Sequence, residues 1–204
     1  MSMPARLLVA TSNSGKMREL AALFADLPCT LLSLQDLPSP ITPPDETADT
    51  CAGNARIKAT AYARATGLPC LAEDSGFEVE ALDGLPGVRS ARVPGANDCE
   101  RNDWVYARLD ARGSRTSRAR FLSVLALAHS TGEIAHVAEG EVSGEIAPEP
   151  RGSNGFGYDP LLFYPPLGCT FAELTQDQKA EVSHRGRAAR LMHDWLCEHP
   201  DEIW

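Results

Sequence analysis

No apolar run in this sequence approaches the roughly 20 residues that a membrane-crossing helix needs, so no membrane partner is expected. Residues 7–10 form the only apolar stretch near the start, too short for a secretory signal, which points to a cytoplasmic protein. Cysteine pairs are missing as well. Cys29, Cys51, Cys70, Cys99, Cys169 and Cys197 are scattered with no C-x-x-C spacing, so neither a zinc site nor a disulfide framework is expected. Positive charge is in deficit, with 19 Lys and Arg against 28 Asp and Glu and a net charge of -9. Such a surface repels long polyanions and argues against a nucleic-acid partner. A small anionic ligand stays open where local cations or a bound metal outweigh the global field. Scarcest among the basic residues is lysine, present only as Lys16, Lys58 and Lys179. A chain that otherwise uses arginine keeps lysine where a compact, mobile ammonium is wanted, for instance against phosphate oxygens.

What is present is ordinary for a globular chain: 204 residues, 43% hydrophobic and 23% charged. A chain of this length can bury roughly 70% of its unfolded surface without a metal or disulfide. Residues 6–11 and 30–34 read as short buried strands, and residues 14–27 between them carry apolar positions at helical spacing. Four prolines make 38–44 a loop, and the alanine-rich stretch 50–66 reads as a helix stopped by Gly67. Residues 70–73 resemble a strand running into the acid pair. A loop spans 84–95, a helix 98–112, and two strands at 120–129 and 134–143 form a hairpin around Thr131-Gly132. After a glycine-rich loop at 148–158, the last helix covers 183–197 with one apolar face. There is no internal repeat and no separable linker. The whole of 1–204 reads as one α/β domain with a mixed sheet. Trp104 and Tyr106 on the 98–112 helix either mark an interface or pack inward.

Five segments can carry chemistry. Thr11, Ser12, Asn13, Ser14, Gly15 and Lys16 link a strand to a helix, where backbone N–H groups and the helix dipole favour an anion. This is not a Walker A loop, which needs Gly at Ala10 and Ser or Thr at Met17. A plain helix cap by Ser12, Asn13 or Ser14 is the alternative. Glu46 precedes a helix on which Thr50, Asn54 and Lys58 share one face, which is either a solvated stripe or part of a site. Glu73-Asp74-Ser75-Gly76 stands at the end of a predicted strand, where open α/β sheets gather ligands. Its carboxylates suit magnesium, which keeps waters and uses substrate phosphates; a solvated turn is the bland reading. In the segment 152–160, Phe156 stands between Gly155 and Gly157 and can stack on a base or cover the core. Lys179, followed by Ser183, His184 and Arg185 at a helix start, can point donors at a carbonyl or phosphate. An Arg there opposes the dipole unless something anionic is bound.

Taken in order, the pieces TSNSGK, EDSG, LPGVRSAR, FGYDP and SHRG resemble the inosine triphosphate pyrophosphatase family, which acts on non-canonical purine nucleoside triphosphates. The similarity runs nearly end to end, from Leu8 to Trp195. The resemblance implies an elongated α/β fold of two lobes around a mixed sheet with flanking helices, a central nucleotide cleft, a homodimer and a Mg2+ requirement. It implies cleavage between the α and β phosphates of ITP, dITP or XTP. Thr11, Asn13 and Lys16 match the triphosphate-binding turn, and Lys58 matches the helix lysine. Glu46 and Asp74 match the magnesium carboxylates, with Asp74 also the general base and Ser75 a substrate contact. Phe156, Gly157, Tyr158 and Asp159 match the base-stacking loop, and Lys179, His184 and Arg185 the residues around the base. Two positions depart from the pattern: Gly53 stands where Glu is common, and Glu73 where Asp is common, so Glu73 reaches a metal only through water. Competing readings are pyrophosphatases for modified pyrimidine or 7-methylguanosine triphosphates, which share the phosphate turn, and a non-catalytic nucleotide sensor.

Overall fold

The computed structural model describes residues 5–203. In chain order, the first elements are β1 (Ala5–Ala10), α1 (Ser14–Leu23), β2 (Cys29–Ser33), α2 (Cys51–Thr66), β3 (Cys70–Val79), β4 (Pro86–Gly87) and α3 (Asp98–Ala111). They are followed by β5 (Arg118–Ala128), β6 (Ile134–Ile146), β7 (Leu162–Tyr164), β8 (Cys169–Thr170), α4 (Gln176–Val182), α5 (His184–Glu198) and α6 (Pro200–Ile203). Among the described residues these form one α/β fold with an eight-stranded mixed sheet, ordered β2-β1-β3-β5-β6-β7-β8, with β4 paired to β3. β1 runs parallel to β2 and to β3, and its last four residues are buried, as expected for a parallel strand covered on both faces. The β3–β4, β6–β7 and β7–β8 pairs are antiparallel.

Contacts divide the chain into two compact units. The first holds the chain through Asp74, Ser123–Gly140 and everything from Arg185 onward; the second holds Ser75–Leu122 and Glu141–His184. Each has its own apolar core. Leu7, Leu20, Phe24, Leu71, Leu125, Leu127 and Met192 pack in the first. In the second, Phe77, Tyr106, Leu109, Phe121, Tyr158 and Phe171 do the same. Tyr106 is buried, its hydroxyl donating to the Ala147 carbonyl at 2.9 Å, so this aromatic packs inward. Trp104 lies half-buried against the same core, under the Arg108 guanidinium.

Several boundaries differ from expectation, each for a local reason. α1 stops at Leu23 instead of 27 because Pro28 disfavours helical backbone at Leu27; a turn tucks Leu27 back into the core. α2 ends as expected, with Gly67 in the left-handed region at φ 66. β3 does not end at 73 but continues to Val79, since its acidic residues find buried partners and need no solvated turn. The stretch before the last helix folds into α4, opened by a capping box between Thr175 and Gln178.

Candidate active site

The turn between β1 and α1 is built around Asn13. Its Oδ1 accepts from the backbone N–H groups of Gly15 at 2.9 Å and Lys16 at 3.0 Å, while Thr11 Oγ1 accepts from Asn13 N–H at 3.2 Å. Of the three cap candidates, Asn13 is the one that caps; Ser12 and Ser14 stay exposed. Two of the amides expected to face an anion therefore donate to Asn13 itself. What the turn projects is the Lys16 side chain, whose Nζ lies 2.9 Å from Glu73 Oε2.

β3 pairs with β1 only through Ala72, so Glu73 and Asp74 follow directly on the end of that parallel ladder. Glu73 is enclosed. Oε1 accepts from Ser123 Oγ at 2.8 Å and from Arg185 at 3.0 Å, and the Arg185 guanidinium also bonds Glu19. Burial opposes ionisation of Glu73, but Arg185 and Lys16 outweigh it and hold the carboxyl far below the usual range. Burial likewise works against the Arg185 charge, and Glu73 with Glu19 raises its pKa above the ordinary value. Oε1 is thus held by Ser123 and Arg185, and Oε2 faces the Lys16 ammonium. Arg185 is buried at the start of α5, and its guanidinium is ion-paired with Glu19 and Glu73 within the first unit.

Asp74 behaves differently from its neighbour. Its Oδ1 lies 2.8 Å from Lys58 Nζ, and the same ammonium lies 2.9 Å from Glu46 Oε1. Burial pushes the Asp74 carboxyl above its ordinary value, and the nearby lysines do not cancel that effect. Desolvation acts against the Lys58 charge too, but Asp74 and Glu46 together keep its pKa raised. The adjacent Cys51 thiol is pushed up to about 12, chiefly by burial and then by Asp74, and is no nucleophile. Asp74 Oδ2 is buried without a hydrogen-bond partner, whereas the Glu46 side chain is 28% exposed. A buried carboxylate oxygen left over in this way suits a hard cation. Among the described residues no cluster of three or more His, Cys, Asp or Glu could hold a metal. An ion here would take Asp74 and Glu46 and complete its shell with water and substrate oxygens, as Mg2+ commonly does.

The second unit holds the glycine-rich loop, which several hydrogen bonds tie down. Asp159 Oδ2 accepts from Phe156 N–H at 2.8 Å and from Lys179 Nζ at 2.6 Å. Gly157 N–H donates to Asp98 Oδ2 at 2.7 Å. Gly155 is required: its φ is 73, and a Cβ there would stand 2.1 Å from Asp159 Oδ2. Phe156 is half-buried with Lys179 Nζ 4.7 Å from its ring centroid. Tyr158 turns inward, stacking on Phe77 at 5.0 Å and donating from its hydroxyl to the Ser90 carbonyl at 2.8 Å. Tyr158 and Asp159 are buried, and Phe156 and Gly157 are half-buried. Lys179 and His184 are buried, the latter stacked on Phe121 at 4.6 Å. Ser75 sits half-buried on β3. Tyr158→Phe is expected to cost about 1–3 kcal/mol by orphaning the Ser90 carbonyl, read by denaturant unfolding.

A model described as the Ham1 family matches residues 7–195. A dITP/XTP pyrophosphatase of Thermus thermophilus is 47% identical over 196 residues, covering 96% of this chain and 93% of the relative. One from Geobacter sulfurreducens is 47% identical over 193 residues, covering 94% and 96%. The solved structure of a HAM1 protein from Coxiella burnetii superposes with a TM-score of 0.86 at 39% identity, covering 95% of this chain and 99% of that one. This chain belongs to the Ham1 family. The resemblance drawn from its motifs is borne out, and so is the α/β fold with a mixed sheet.

Within this Ham1 chain the structure adds residues that the motifs did not single out. Glu19 lies three residues after Lys16 on α1, on the same helix face, and completes the ion-pair network through Arg185. Ser123 interrupts an otherwise apolar run in β5, and a buried hydroxyl in such a run signals a polar partner, here Glu73. Asp98 is the first residue of α3 and gave no signal of its contact with Gly157, 59 positions away. Ser90, inside the LPGVRSAR segment, accepts from Phe77 N–H at 2.8 Å and donates to the Gly87 carbonyl at 2.6 Å.

Proposed function

We propose that this chain hydrolyses non-canonical purine nucleoside triphosphates, ITP, dITP and XTP, to the nucleoside monophosphate and pyrophosphate. Such an activity clears these nucleotides from the pool. The observation that carries the reading is the Glu46–Lys58–Asp74 arrangement, with Asp74 Oδ2 buried and unpartnered. The name dITP/XTP pyrophosphatase on relatives that match nearly the whole chain supports it.

In this reading Lys16 and Lys58 bind the triphosphate oxygens and stabilise the charge that develops on them, the dominant contribution in phosphoryl chemistry. Asp74 and Glu46 hold Mg2+, which when bound neutralises phosphate charge and lowers the pKa of water. Asp74 orients the attacking water and takes its proton. The bond joining the α and β phosphates breaks, the water oxygen remains on phosphorus, and pyrophosphate leaves. Glu73 fixes Lys16, and Arg185 holds Glu73. Phe156 and Gly157 face the purine, Lys179 and Ser75 assist in binding, and His184 donates to the 6-oxo oxygen. Adenine carries an amino group there and leaves that donor unpaired. We extend the reading to a homodimer in the cytoplasm, with sedimentation of the purified chain as the check on the first.

A triphosphate panel with and without Mg2+, read as pyrophosphate release, tests the reading. The kcat/KM for ITP, dITP and XTP is expected to exceed that for ATP by at least ~100-fold, within the range a hydrogen-bonding pocket supplies. Equal cleavage of ATP and GTP would end the purine assignment. Binding without any release would make the chain a sensor.

A further inference from the structure

Glu46 sits on a segment, residues 41–50, that contains no helix or strand, yet its carboxylate must be held beside Lys58 and Asp74. The fixing point is two residues further on. Ala48 N–H donates to Asn54 Oδ1 at 3.0 Å, and Asn54 is completely buried in the first turns of α2. From the other side, Gly53 lets the segment approach. A Cβ at Gly53 would lie 2.4 Å from Ala48 Cβ, closer than two carbons can stand, so only glycine permits this packing. The Glu that the resemblance implies at this position would not fit here without moving Ala48.

We propose that Asn54 is a positioning residue for Glu46, the Asn54–Ala48 hydrogen bond and the Gly53 contact together locking the segment that carries this carboxylate. Asn54 and Lys58 are four residues apart and share one face of α2, so the helix grips the segment twice, at the Ala48 amide and at the Glu46 carboxylate. The amide's other end supplies the second argument. Asn54 Nδ2 is buried without a partner among the described residues, which costs free energy that a leucine of similar volume would avoid. What leucine cannot provide is the acceptor that holds Ala48. The inference rests on the proposed metal role of Glu46 and adds a residue that never touches the ion.

The test uses the full chain and Mn2+ as probe, followed by electron paramagnetic resonance of the free ion, alongside hydrogen exchange of the Ala48 amide. Asn54→Ala is expected to weaken Mn2+ binding by about 10–100-fold, the usual effect of losing a partner behind a ligand, and to speed Ala48 exchange. Gly53→Ala, which displaces Ala48 without touching Asn54, is expected to act in the same direction and serves if Asn54→Ala fails to fold. In a Glu46→Gln background, Asn54→Ala should add no further loss of Mn2+ affinity, because its route to the ion is already gone. Wild-type Mn2+ affinity in both single variants, or a fully additive loss in the double, overturns the proposal while leaving the proposed function standing. A wild-type chain that neither binds Mn2+ nor releases pyrophosphate overturns both.

Discussion

Asn in place of Asp74 is expected to lower turnover by at least ~100-fold while leaving the fold intact. The amide keeps an acceptor for Lys58, which also retains Glu46, and a neutral side chain relieves the burial cost that raises the carboxyl's pKa. What the variant loses is the proton acceptor and one anionic oxygen at the place where Oδ2 is now unpartnered. Circular dichroism and unfolding midpoints should therefore be near wild type while pyrophosphate release collapses. The pH profile gives an independent sign. A base must be deprotonated to act, so activity falls as pH drops through the Asp74 pKa. In the metal-free chain burial places that pKa above the ordinary 3.8, so Mg2+ affinity should begin to fall in acid at a higher pH than an unperturbed aspartate would give. Turnover of Asp74→Asn close to wild type would remove Asp74 from the mechanism.

Much of this arrangement was legible in the sequence because its key contacts are local or fall on regular elements. The TSNSGK turn sits between a strand and a helix whose periodicities are plain. Asn54 and Lys58 lie four residues apart on a helix that Thr50 caps and that the sequence delimits with Gly67. The three lysines singled out by their scarcity, Lys16, Lys58 and Lys179, are each ion-paired to a carboxylate. What periodicity could not convey was partner choice over long separations. Arg185 meets Glu73 across 112 positions and Glu19 across 166, so SHRG alone did not reveal where its arginine points. The length of β3 was hidden for a related reason. Asp-Ser-Gly has turn chemistry in isolation, and only tertiary partners for the acids make extended backbone the better solution. Asp159 illustrates the same limit: beside aromatic and glycine residues it reads as a ligand contact, yet its carboxylate holds Lys179 and the Phe156 amide.

Glu73→Gln should produce the largest stability effect, a loss of about 3–5 kcal/mol, because removing one partner from a buried ion-pair network leaves uncompensated charge behind. Glu73 has a fully buried side chain and neutralises Lys16 and Arg185 at 2.9 and 3.0 Å. After substitution Arg185 retains only Glu19 among these acids, and Lys16 loses the anchor that aims it, so KM for the triphosphate should rise as stability falls. The carboxyl's depressed pKa sets the pH signature. A depressed acid contributes stability that is complete above its ordinary value of 4.5 and is lost as pH falls toward the folded-state pKa. The Gln variant should therefore lose stability most at neutral pH and approach wild type in acid, which denaturant unfolding from pH 7 down to about 3 would register. A compensated double variant separates charge balance from packing. Glu73→Leu with Arg185→Leu leaves Lys16 and Glu19 three residues apart on α1, where they can pair with each other. It is expected to be more stable than either single change, since removing a whole buried pair is often far less costly than breaking it. If the double loss instead equals the sum of the single losses, the network is not coupled and Glu73 does not act as its hub.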